Sequence, residues 1–117
     1  MVDKKELKKQ YKETQTPMGV YQIKNLVNGR IFIGSSPNLP GKINSYSFQL
    51  KMGSHPNSKL QEDFRLHGGE NFTFTVLDKL EPKEGAGHDY AKDLKVLEDM
   101  WLEKLQPYGE KGYNKKR

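Results

Sequence analysis

The chain has 117 residues, 33% hydrophobic and 30% charged, with a net charge of +5, which suits one small domain rather than two. Without cysteine there is no disulfide, no cysteine-ligated zinc and no thiol nucleophile. No apolar run nears the roughly 18 residues of a membrane span, and the charged start MVDKKELKKQ lacks a signal peptide's apolar segment, so a soluble, cytoplasmic protein is expected.

Residues 3–13, DKKELKKQYKE, place only Leu7 and Tyr11 on one face, which predicts a solvated basic helix ahead of Pro17. Residues 1–17 are therefore set apart from a single domain over 18–117. Two short β-like runs, 19–25 and 30–36, flank Asn28-Gly29 and read as a hairpin. A two-residue turn there puts Val27 opposite Arg30, so Tyr21 and Ile23 share a face with Arg30 and Phe32. The other face, with Val20, Ile31 and Ile33, is the more apolar and the better candidate for the core.

SSPNLPG reads as a linker into a helix over 42–52. A second helix, 57–67, lines up Leu60, Phe64 and His67 and ends at Gly68-Gly69. NFTFTVLDKL, 71–80, alternates Phe72, Phe74 and Val76 with polar residues as a third strand. EPKEGAGH is a loop, and the longest helix covers 88–106 before Pro107. The order ββααβα predicts an α+β fold, a three-stranded antiparallel sheet flanked by helices.

In the last helix, at about 100° per residue from Leu94, Tyr90, Ala91, Leu97, Trp101, Leu102 and Leu105 fall in one arc. Glu98 falls inside that arc, at about +40°, where a carboxylate is costly unless paired, hydrogen-bonded or metal-bound. It is either a structural ion pair, with Lys42 or Arg30, or a functional group. His55 and His67 lack metal-pair spacing and read as capping or surface residues, and His88 as a loop residue. Gly-Ser-Ser at 34–36 lacks the pattern of a phosphate-binding loop, and Trp101 reads as core rather than a base-stacking platform.

Charge is uneven along the chain. Residues 1–60 hold 10 Lys/Arg against 3 Asp/Glu, 61–110 hold 6 against 12, and 111–117 hold 4 against none. A basic first half and tail suit a polyanion such as nucleic acid, although lysines also serve solubility alone. Lys24, Arg30 and Lys42 are candidate contacts.

GVY, then IFIG eleven residues after Tyr21, then HPNSKLQEDFRLHG, ENFTFTVL, EDMWLEKL and a terminal GYN together resemble the GIY-YIG nuclease family over about residues 18–114. The chain looks like a small stand-alone bacterial member, and it is similar to the nuclease domains of homing endonucleases and of the excision-repair C subunit. The resemblance implies Tyr21 as general base toward a water, and Glu98 as ligand of one divalent ion, Mg2+ or Mn2+. It also implies Asn114 as the GYN asparagine near the site, in contact with nucleic acid. Three positions depart from the pattern: Phe32 replaces a second tyrosine, Lys42 an arginine, and Tyr46 a histidine one turn further on. Phe32 has no hydroxyl, and Lys42 keeps the charge but loses arginine's bidentate fork.

The expected function is a metal-dependent endonuclease acting on nucleic acid, DNA first, through a partly degraded site of Tyr21, Phe32, Lys42, Tyr46 and Glu98. The alternatives are a catalytically silent nucleic-acid-binding module of the same fold, and a protein-interaction domain in which the charge asymmetry is incidental. No separate recognition domain is visible, so any sequence specificity is low or supplied by a protein partner.

Overall fold

The computed structural model describes residues 17–81 and 89–115. The expected helix over 3–13 and His88 lie outside them. Strands β1 (Met18–Asn25), β2 (Ile31–Ser36) and β3 (Phe72–Leu80) and helices α1 (Leu39–Met52), α2 (Ser58–His67) and α3 (Tyr90–Leu105) follow in the expected order, with 3-10 turns at Gly69–Asn71 and Gly109–Lys111. The sheet is antiparallel, in the order β2-β1-β3.

The hairpin differs from the expected two-residue turn. The last pair is Asn25 with Arg30 (Asn25 N to Arg30 O, 2.9 Å), which leaves a four-residue loop over 26–29. Asn25 is fully buried. Its Oδ1 accepts from the Val27 amide at 2.9 Å and its Nδ2 donates to the Tyr113 hydroxyl at 3.1 Å. These bonds fold the chain one residue pair earlier, and Gly29 takes the left-handed conformation (φ 77°) that closes the loop. Paired positions still sum to an odd number, with Tyr21 opposite Gly34 and Ile23 opposite Phe32. The faces are therefore as the sequence predicts, because a shift of one whole pair preserves the side-chain alternation.

Both faces of the sheet are covered, and the larger core lies on the Tyr21 side rather than the Val20 side. Tyr21, Ile23 and Phe72 pack there with Leu39 and Leu50 of α1, Leu60 and Phe64 of α2, and Tyr113 of the tail. On the reverse face Val20 and Ile33 pack against Leu102 of α3, with Leu97, Trp101 and Leu105 at the margin. The count of apolar residues within β1 and β2 misleads because most of the larger core comes from elements distant in the chain.

Helix α1 starts three residues earlier than expected. The Asn38 side chain accepts from the Gly41 amide at 2.9 Å, so Leu39 and Pro40 enter the first turn. Proline is tolerated there because its missing N–H has no partner in a first turn. Asn57 caps α2 in the same way, accepting from the Leu60 amide at 3.0 Å.

After α3 the tail returns along the outer edge of β2. The Tyr113 amide donates to Ile31 O at 2.9 Å, and the Asn114 side chain binds both main-chain groups of Ile33. A short parallel bridge thus covers an edge that would otherwise be open to pairing. No helix among the described residues is long and apolar enough to cross a membrane.

Candidate active site

Tyr21 sits in the middle of β1, 3% exposed, with its hydroxyl against Gly34 across the hairpin. A Cβ at Gly34 would overlap that oxygen, so the glycine is the space in which the phenol lies. Phe32, two residues before it on β2, brings its ring to 6.4 Å from that of Tyr21. One turn into α1, Lys42 holds its Nζ 4.9 Å from the centre of the Tyr46 ring, a cation–π contact. Tyr46 in turn meets Tyr21 edge-on at 6.0 Å and Phe32 at 6.3 Å.

Glu98 comes from the opposite side of the sheet. It is half-buried on α3 and accepts from the Ser35 hydroxyl at 3.3 Å. Ser35 follows Gly34 on the edge strand, so the carboxylate reaches the border of β2 beside Tyr21 and its charge acts on that phenol. Arg30, one of the two ion-pair partners considered for Glu98, pairs with Asp63 instead, at 3.4 Å.

His55 joins this group, against the expectation of a capping or surface residue. It is 6% exposed, and its ring lies 4.4 Å from Tyr46 and 6.0 Å from Phe32, perpendicular to both. Its Nδ1 accepts from the Asn57 amide at 3.0 Å, which puts the proton of the neutral ring on Nε2. Nε2 is buried without a hydrogen-bond partner. Burial, and then the charge of Lys42, lower its pKa below the ordinary 6.5, so the ring is neutral at pH 7. The capping element of the expectation is present in the bond to Asn57. The ring contacts were invisible in sequence because they require α1, β2 and the α1–α2 turn to meet.

The remaining candidates lie elsewhere. Lys24 is exposed and alternates with Tyr21 and Ile23, which places it on the α3 side of β1. Arg30 is held in a network at the hairpin end, where Asp63 Oδ2 also accepts from the Tyr113 hydroxyl at 2.8 Å. Asn114 uses its amide on Ile33, accepting from N at 2.9 Å and donating to O at 2.8 Å.

Residues 17–114 match the profile of the GIY-YIG catalytic domain. The chain belongs to the GIY-YIG family. Over 88 residues it is 31% identical to intron-associated endonuclease 1 of Enterobacteria phage T4, covering 74% of this chain and 32% of that protein. It thus spans about a third of that relative's length. Among solved structures, two of the catalytic domain of the intron endonuclease I-TevI, one of them a point variant, are similar. The variant superposes with a TM-score of 0.69 at 27% identity, covering 85% of this chain and 93% of that one. The other gives 0.70 at 26%, covering 86% and 99%.

This GIY-YIG domain keeps its tyrosine as a neutral phenol. Burial first, then the electrostatic interaction and hydrogen bond with Tyr46, then the charge of Glu98, all push the Tyr21 pKa far above the ordinary 10. A positive charge at the border of β2 opposes each of these effects. Among the described residues no three His, Asp or Glu side chains gather to hold a metal. Glu98 is the carboxylate at this border that would hold a divalent ion. A carboxylate donor would suit a hard divalent ion such as Mg2+ or Mn2+.

Proposed function

We propose that this domain is a metal-dependent endonuclease that hydrolyses phosphodiester bonds in DNA, with an attenuated active centre. The observation that carries the reading is the meeting of Tyr21 and Glu98 at the border of β2, from opposite faces of the sheet, in a chain of the GIY-YIG family. The T4 relative is named an endonuclease, and the two solved neighbours are catalytic domains of one.

In this reading Tyr21 Oη orients the attacking water and takes its proton. A free tyrosine is only about 0.1% phenolate at pH 7, and burial makes the base form of Tyr21 scarcer still. Glu98 would hold a divalent ion, whose positive charge would favour the phenolate and neutralise charge on the phosphate. Lys42 donates from Nζ to a non-bridging phosphate oxygen, as a point charge rather than a fork. The neutral His55 offers its Nε2–H beside Tyr46. Phe32 contributes no polar group and excludes water from one side of Tyr21. Loss of a transition-state donor costs about 10²–10³ in rate, which is the basis for calling the centre attenuated.

Nicking of supercoiled plasmid with Mg2+ or Mn2+ tests this reading. Activity is expected with either ion, and it should be abolished by chelator and by Glu98→Ala. Nucleic-acid binding without nicking under any of these conditions would favour the silent binding module, to which the raised Tyr21 pKa and the missing hydroxyl at Phe32 already lend support.

A further inference from the structure

A strand that presents its phosphate to Tyr21 must also pass over the surface beside it. Asn114, fastened to Ile33 on the β2 edge, lines a cleft of about 200 Å³ between the tail and the start of α2. The charged side chains lining that cleft are Lys59 and Lys115, and no carboxylate lines it. Its walls are tied together: Asn57 Nδ2 donates to Tyr113 O at 2.7 Å, while Asn57 Oδ1 caps α2. The two lysines are exposed, and Lys59 makes a long 3.5 Å contact with the Gly109 carbonyl. In sequence, Lys115 is followed by Lys116 and Arg117.

We propose that this cleft between α2 and the tail is a phosphate-binding subsite, in which Lys59 and Lys115 hold backbone phosphates flanking the reacting one. The strand then runs from Tyr21 past the β2 edge and over the tail. It does not run toward Lys24, on the other face of the sheet, or Arg30, already paired with Asp63. The inference rests on the nuclease reading of the Tyr21–Glu98 centre. It adds a binding surface distinct from the reacting groups, selective for polyanionic strands and indifferent to base sequence.

The test is binding of a labelled DNA duplex across a series of salt concentrations, for the native chain, Lys59→Ala/Lys115→Ala and the control Lys79→Ala/Lys95→Ala. The control removes the same net charge from exposed positions on β3 and α3. Each lost phosphate contact is expected to reduce the slope of log K against log salt by about 0.9, hence by about 1.8 for the pair. In nicking assays the same variant should raise KM and leave kcat unchanged, since these contacts hold ground and transition state alike. An unchanged slope, or an equal loss in the control, would overturn the subsite while leaving the nuclease reading intact. A native chain that binds no nucleic acid even at low salt would overturn both.

Discussion

The hydroxyl of Tyr21 lies against Gly34, the residue paired with it across β1 and β2. This contact couples a motif glycine to the placement of the phenol. Gly34→Ala forces a methyl group into the space the hydroxyl occupies. Overpacking of this kind costs about 1–3 kcal/mol, visible as a lower urea midpoint. A displacement of Tyr21 near 1 Å should also cost about 10² in nicking rate. A variant of unchanged stability and rate would show that the strand relaxes around the methyl.

Asn114 substitutes for a neighbouring strand at Ile33. Asn114→Ala removes both hydrogen bonds and should destabilise the domain by about 1–3 kcal/mol. Amide exchange at Ile33 is the specific readout. Its protection should fall well below that of Gln22 and Ile23 in the central strand, and retained protection would contradict the edge role.

Two buried tyrosines set the alkaline limit of stability. Tyr113, mainly by burial, is pushed up to about 12, and Tyr21 is raised further. A group whose folded pKa exceeds its unfolded value of about 10 contributes stability that is fully present below pH 10 and lost as pH rises through the folded value. Stability should therefore fall between pH 10 and about 12, with part of the tyrosine absorbance change at 295 nm appearing only on unfolding. Tyr113→Phe should flatten that decline and lower stability at pH 7, because the Asn25 amide and Asp63 lose a partner.

His55 sets the acid side with the opposite sign. Its folded pKa is depressed, so the unfolded chain binds the proton more readily, and stability falls as pH drops through about 6.5. His55→Gln should reduce the decline in melting temperature between pH 7 and pH 5. An equal decline in both proteins would assign it to other groups.

The centre should be open to repair. Phe32→Tyr with Lys42→Arg restores a hydroxyl beside Tyr21 and a bidentate donor for equatorial phosphate oxygens. Mg2+-dependent nicking is expected to rise at least about tenfold, in kcat more than KM, and to vanish in a Glu98→Ala background. No gain in a correctly folded double variant would point to the silent module.

Some of this protein is written locally. The alternation of Phe72 and Phe74, the start of α2 at Asn57 and the apolar arc of α3 depend on neighbours within a few residues, so the elements and their order are legible in the chain. The odd pairing sum places Tyr21 with Phe32 although the loop has four residues rather than two, and the arc of α3 singles out Glu98 without a structure. Other features depend on residues far apart in the chain. Asn25 turns the hairpin early because Tyr113 waits for its amide; His55 is buried because α1, β2 and a turn close around it. Arg30 is drawn to Asp63, and the tail covers the β2 edge through Asn114. Helical period and strand alternation are properties of short segments, so sequence determined them. Which buried polar group finds which partner depends on long-range packing, so only the tertiary structure decided where His55, Arg30 and the tail belong.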